Sequence, residues 1–131
     1  MNCLFCKIIN QEIPSYKIYE NEFVYAFLDI NPASNGHTLV IPKNHSENFS
    51  DAKQADIIEV VKAKQEIIAL LDNKLKPAGY NFISNQNQIA GQMVFHYHEH
   101  IIPKYDANEG YIHGTKQVNV EPLENTFNKF Y

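Results

Sequence analysis

Three of the six histidines fall within five residues, at His96, His98 and His100, inside the stretch Phe95-His96-Tyr97-His98-Glu99-His100-Ile101-Ile102-Pro103. Residues two apart on a β-strand face the same way, so an extended chain here presents a row of imidazoles about 6.6 Å apart at the Cα level. On a helix the same spacing scatters the rings around the axis. Tyr97, Ile101 and Ile102 suit a pleated, half-buried strand. Two chemistries use such a row. One is metal binding, for which imidazole is the commonest ligand. Two histidines at i and i+2 share one zinc readily. His96 and His100, however, stand about 13 Å apart along a strand, too far for Zn–N bonds of about 2 Å, so a three-histidine zinc would draw a ligand from elsewhere. The other chemistry is covalent catalysis at phosphorus or an acyl carbon. An imidazole of pKa about 6.5 is largely neutral at about pH 7 and attacks directly. Its neighbours hold the attacking tautomer and bind anionic oxygen. The middle ring, His98, is the natural nucleophile. Upstream, Gly91 lets backbone N–H groups approach an oxyanion and Gln92 adds an amide. That context favours phosphoryl or nucleotidyl transfer.

A second candidate is Cys3-Leu4-Phe5-Cys6, which supplies half of a tetrahedral zinc site. A redox pair of the thioredoxin kind needs a strand before it, and two residues cannot provide one.

The chain that must position these groups has 131 residues, enough for one domain, 1–131, with a real core. A net charge of −4 argues against a nucleic-acid polymer as partner, which calls for a basic surface. A small nucleotide stays open, because a local pocket binds phosphate through backbone amides. No run approaches the roughly 18 apolar residues of a membrane-spanning helix. The N-terminal stretch Met1 to Lys7 lacks the basic lead and apolar core of a secretory signal. Two cysteines are too few for an extracellular disulfide framework, so a cytoplasmic location is expected.

In chain order, Leu4 to Asn10 reads as a short helix. Lys17–Glu20 and Phe23–Leu28 read as strands joined at Asn21-Glu22. After a turn-rich stretch, 29–36, His37–Pro42 reads as a buried strand. From Asp51 to Lys76 the period becomes helical, with Ile57, Val61, Ile68, Leu71 and Leu75 on the apolar face and Ser50 or Asp51 as cap. Tyr80–Asn85 is a further strand, and 86–92 is a polar loop closing on Gly91. Beyond Pro103 come a flexible loop carrying a solvent-exposed His113 and a last helix from Glu121 to Tyr131, with Leu123, Phe127 and Phe130 on one face. Strands paired around one long helix predict an α+β fold with a mainly antiparallel sheet.

The segment His96-Tyr97-His98-Glu99-His100-Ile101-Ile102 resembles the signature of the histidine triad (HIT) family of nucleotide hydrolases and transferases. Gly91-Gln92-Met93-Val94-Phe95, Cys3-Leu4-Phe5-Cys6-Lys7-Ile8-Ile9, Ile13-Pro14, Ala26-Phe27-Leu28-Asp29-Ile30 and Gly36-His37-Thr38-Leu39-Val40-Ile41-Pro42-Lys43 also look like family segments in the family order. The likeness covers about residues 3–105, leaves 106–131 as a variable tail, and leans toward small bacterial-type proteins similar to nucleoside phosphoramidases.

The resemblance implies a five-stranded antiparallel sheet with short terminal helices, a homodimer, and a purine nucleotide substrate cleaved at its α-phosphate. His98 would form a nucleotidyl-histidine intermediate, with His100, His96 and His37 completing the catalytic histidines. His100 and Gln92 would contact phosphate, with Asn85, Gly91 and Val94 beside them. Asp29 would hold the ribose hydroxyls. Leu4, Phe5, Ile8, Phe27, Ile30 and Leu39 would form an apolar slot for the base, against the simpler reading that they are core. It further implies a structural zinc on Cys3, Cys6, His45 and His96, with no cofactor needed for the chemistry. Two departures stand out. Met93 occupies a position where the phosphoramidase branch usually has a serine that helps protonate the leaving nitrogen, and Met cannot donate a proton. Glu99 replaces an apolar residue and is expected to face the surface or a dimer contact. A purine-nucleotide-binding regulatory module with little turnover, or a dinucleoside polyphosphate hydrolase, are the alternative functions; a catalytic zinc hydrolase is the third class.

Overall fold

The structure is a computed structural model describing residues 2–131. Its helices are α1 (Leu4–Ile9), α2 (Gln54–Lys74) and α3 (Leu123–Asn128). Its strands are β1 (Lys17–Glu20), β2 (Val24–Leu28), β3 (Thr38–Pro42), β4 (Gly79–Ile83) and β5 (Glu99–Lys104), in the sheet order β1-β2-β3-β5-β4 with every neighbouring pair antiparallel. The expected α+β class is borne out. Among the described residues, no helix is long and apolar enough to cross a membrane.

Side chains alternate along β2 and β3, and both faces of these strands are covered. Val24, Ala26 and Val40 join the core under α2, while Tyr25, Phe27, Leu39 and Ile41 pack with Phe5 and Ile8 of α1 on the other side. Double burial explains why Val-Tyr-Ala-Phe-Leu and Thr-Leu-Val-Ile-Pro read as unbroken apolar runs rather than alternating ones. The same rule sorts β5. Leu39 pairs with His100 and Val40 with Glu99, so His100 emerges on the α1 face and Glu99 under α2.

Three expectations about elements need correction. The buried ridge of α2 is Val60, Ala63, Ile67 and Leu71; Val61 and Leu75 are about half exposed. The apolar band on this helix is wider than the stripe that meets the sheet, and the small Ala63 occupies part of that stripe. Neither Ser50 nor Asp51 caps α2: Lys53 precedes it without a side-chain bond. Asp51 instead accepts the Asn48 and Glu47 N–H groups, and Ser50 donates to Gln86. Finally, β5 begins only at Glu99, not at Phe95. The Tyr97 N–H donates to the Ser46 carbonyl and Ser84 Oγ donates to the His98 carbonyl, so the segment carrying His96 and His98 is held from outside the ladder.

The β2–β3 loop presses on the end of α2. Gly36 sits at φ +90°, which strains any residue with a Cβ, and a Cβ there would also push on Leu75 Cδ1 at 2.7 Å. The tail beyond Tyr105 runs over the surface. Leu123, Phe127 and Phe130 are all exposed, so the expected apolar face of α3 is not buried among the described residues.

Candidate active site

The loop between β4 and β5 brings His96 and His98 up against α1, and His100 follows on β5. Phe5 meets the His98 ring edge-on with centroids 5.1 Å apart and the His96 ring at 5.9 Å. His98 and His100 lie 5.1 Å apart. His96 is fully buried and His98 nearly so.

Backbone groups decide which nitrogen of each ring carries the proton. His98 Nδ1 lies 2.7 Å from the His96 carbonyl oxygen. A carbonyl only accepts, so Nδ1 holds the hydrogen and the lone pair sits on Nε2. His96 Nε2 lies 2.8 Å from the Pro42 carbonyl, which places its hydrogen there and turns the Nδ1 lone pair inward. His37 Nδ1 accepts the Ala33 N–H at 3.0 Å, so its hydrogen is on Nε2, 2.9 Å from His100 Nδ1. His100 accepts at Nδ1 and therefore offers an Nε2–H. Asp29 stands beside this pair as a nearby negative charge. One carboxylate oxygen lies 3.6 Å from His37 Nε2, and the other accepts the Asn31 N–H.

Burial holds all four rings neutral near pH 7. It depresses His37 and His98 below the ordinary histidine range and brings His96 and His100 down to about 4.

The His96 lone pair points into a cluster with Cys3, Cys6 and His45. Its Nδ1 is 3.5 Å from Cys3 Sγ, 3.6 Å from Cys6 Sγ and 3.2 Å from His45 Nδ1. The four donor atoms all lie within 4.8 Å of one another. A tetrahedron with bonds of about 2.0–2.3 Å has edges of roughly 3.3–3.8 Å, so two thiols and two imidazoles fit a zinc ion here. Cys3 sits at the N-cap of α1 and accepts the Cys6 N–H, which aims both sulfurs the same way. Without a metal, burial pushes the Cys6 thiol up to about 11.

Asp29, His37 and His100 also gather three donors within 4.8 Å. Their centre already holds a proton: binding a metal through His37 Nε2 would force its hydrogen onto Nδ1, against the Ala33 N–H.

Other expected residues fall less neatly. Phe5, Ile8, Phe27 and Leu39 form one buried cluster with Val94 against it, which is core packing. Ile30 lies outside this cluster and is 81% exposed, and Leu4 is 45% exposed. Gln92 is buried, and its amide is spent on the loop. Nε2 donates to the carbonyls of Glu47 and Val94, and Oε1 accepts the Asn87 N–H. Both donors are engaged within the loop, so a phosphate contact from this amide would need one of these bonds to give way. Asn85 Nδ2 reaches toward the Gly91 carbonyl, and Gly91 sits at φ +98° as the loop closes. Met93 is 82% exposed and His113 is exposed. Glu99 is not a surface group: it bonds Lys64 and Tyr97 beneath α2. The carbonyls of Pro42 and His96 and the Ala33 N–H do as much as any side chain, and no residue type signals them.

Comparison with known proteins follows the same lines. The family model described as HIT domain matches residues 10–107. A HIT-like protein of Mycoplasma genitalium, MG132, is 44% identical over 126 residues, spanning 96% of this chain and 89% of its own. The adenosine 5′-monophosphoramidase HNT1 of Candida albicans is 43% identical over 113 residues, 83% of this chain and 74% of its own. The crystal structure of a HIT family member from Bacillus subtilis superposes with a TM-score of 0.88 at 41% identity, covering 99% of this chain and 95% of that one.

Proposed function

The chain belongs to the HIT family, and from that premise we propose that it hydrolyses a purine nucleoside 5′-phosphoramidate or a related nucleotide at the α-phosphate, with His98 as nucleophile. The observation that carries this is the 2.7 Å bond from His98 Nδ1–H to the His96 carbonyl, which leaves the Nε2 lone pair free on a neutral ring. That lone pair forms the bond to phosphorus as the bond from phosphorus to the leaving group breaks. His100, whose Nδ1 is occupied by His37, offers its Nε2–H to a phosphoryl oxygen or to the departing nitrogen. Water then attacks phosphorus, returning to His100 Nε2 the proton that left with the nitrogen, and the bond to His98 Nε2 breaks to release the nucleoside monophosphate. Placement of the rings and stabilisation of charge on oxygen supply most of the rate. Asp29, just after β2, would take the ribose hydroxyls. The name of the Candida albicans relative, an adenosine 5′-monophosphoramidase, supports an adenosine substrate.

Cys3, Cys6, His45 and His96 would hold a zinc ion, which supplies structural cross-linking between α1, the stretch after β3 and the nucleophile's segment. The residues that do the chemistry, His98 and His100, lie outside that donor set. The paired thiols suit a reducing compartment such as the cytoplasm, and the protein acts as a homodimer. A nucleotide-binding regulatory module is the competing function, favoured by one observation: Met93 and the engaged amide of Gln92 leave His100 as the proton donor identified beside His98.

The test is release of the amine from an adenosine 5′-phosphoramidate. Turnover by the wild type, with His98→Ala inactive yet still binding nucleotide, is the expected result. Unchanged turnover in His98→Ala refutes His98 as nucleophile, and tight binding without turnover selects the regulatory module.

A further inference from the structure

The residues between the histidines point the other way, under α2, and they are tied together. Tyr97 is 2% exposed, and its hydroxyl donates to Glu99 Oε2 at 2.7 Å. Glu99 Oε1 accepts from Lys64 Nζ of α2 at 3.0 Å, with both side chains mostly shielded. Lys64 also lies 4.8 Å from the centre of the Phe82 ring on β4. Every oxygen of this carboxylate is thus engaged, and the two ends of the tether bracket one residue, His98.

That residue needs bracketing. It stands one position before β5, so the ladder that orders His100 does not reach it. Its own main chain is held by the Ser84 hydroxyl on its carbonyl, and its neighbour's by the bond from Tyr97 N–H to Ser46. A side-chain bond between residues 97 and 99 closes a loop around His98 and fixes how far its ring projects past the sheet. Lys64 then anchors that loop to the longest helix. A half-buried carboxylate with both oxygens satisfied is rigid, whereas losing one partner leaves a charge without compensation.

We propose that Tyr97, Glu99 and Lys64 form a positioning clamp on the far face of the sheet that sets the reach of the His98 ring and keeps its Nδ1–H on the His96 carbonyl. The clamp rests on His98 being the nucleophile only for its effect on turnover; its effect on the ring is independent of any reaction. None of the three residues touches substrate. Their loss lowers kcat and leaves KM in place, because the ring that forms the bond is displaced while the nucleotide's other contacts persist.

The experiment compares Tyr97→Phe, Glu99→Leu, their double variant and Glu99→Gln with the wild type, using adenosine 5′-phosphoramidate as probe. Tyr97→Phe removes a single oxygen and Glu99→Gln is nearly isosteric, so both are suited to fold. Tyr97→Phe and Glu99→Leu are each expected to lower kcat roughly tenfold with KM within about twofold. The double variant is expected to be no worse than the poorer single one, since the two act through one bond. Glu99→Gln, whose single oxygen still accepts the tyrosine hydrogen while its NH2 faces Lys64 as donor against donor, is expected to fall between wild type and Glu99→Leu. In parallel, nitrogen-15 NMR of the imidazoles is expected to show His98 protonated at Nδ1 alone in the wild type and mixed tautomers in Tyr97→Phe and Glu99→Leu. Wild-type kcat in both variants overturns the clamp, as does a rise in KM with kcat intact, or a lowered melting temperature as the sole change. If the wild type proves inactive, the nucleotidyl-transfer function fails by itself, and the NMR arm alone decides the clamp.

Discussion

Two clusters of metal-capable side chains flank His98, and they differ in where a single proton sits. In the cluster of Cys3, Cys6, His45 and His96, the Pro42 carbonyl takes the His96 hydrogen on the outer nitrogen and leaves the inner one bare. In the cluster of Asp29, His37 and His100, the Ala33 N–H occupies the outer nitrogen of His37 and drives its hydrogen inward. In both, the donor atoms lie within 4.8 Å of one another. A backbone acceptor behind one histidine leaves a lone pair that suits a metal, and a backbone donor behind the other leaves an N–H that bonds the next ring. Residue type and distance alone would treat them alike.

The sharpest way to break this contrast is to measure metal content. Cys3→Ser with Cys6→Ser is expected to take bound zinc from about one per chain to near none, with a loss of stability on the order of several kcal/mol. Asp29→Asn and His37→Gln are expected to leave the zinc content untouched. Elemental analysis of the purified proteins reads both, and zinc loss in the second pair would erase the distinction. Next in size, His37→Gln is expected to lower turnover roughly 10- to 100-fold, because His100 loses the group that fixes its tautomer. Wild-type activity in that variant would remove the His37–His100 bond from catalysis.

The smallest effect is on stability against pH. His37 and His100 are held below the ordinary range by burial, His100 at about 4. The unfolded chain binds protons at these rings below about pH 6.5, whereas the folded chain resists until lower pH. Stability therefore falls as the solution is acidified through that window and is fully present above it. A plot of melting temperature against pH is expected to slope downward on acidification, and His37→Gln with His100→Gln is expected to flatten the slope. An unaltered slope would place the acid sensitivity elsewhere.

Much of this was legible in the residues. The alternation of His96, His98 and His100 correctly implied a shared face, since 98 and 100 do meet beside α1. Their strand is shorter than its pattern suggested because Ser46, far away in sequence, captures the Tyr97 N–H. The long helix announced itself by period, yet its buried ridge runs through Val60, Ala63, Ile67 and Leu71, with the small Ala63 in a place the apolar pattern did not mark. Glu99 reads as a surface charge until Lys64, an ordinary helix lysine, is found opposite it. Gln92 reads as a phosphate ligand until three backbone groups are seen to use its amide. What stayed hidden is of one kind: partners supplied by the main chain, or by a side chain made distinctive only by where the fold puts it.

Intact-protein mass spectrometry of a rapidly quenched reaction with an adenosine 5′-phosphoramidate tests the nucleophile most directly. A mass increase of one adenylyl group, mapped to His98 and absent in His98→Ala, is the predicted result. A wild-type protein that turns over substrate while never carrying the nucleotide would contradict it.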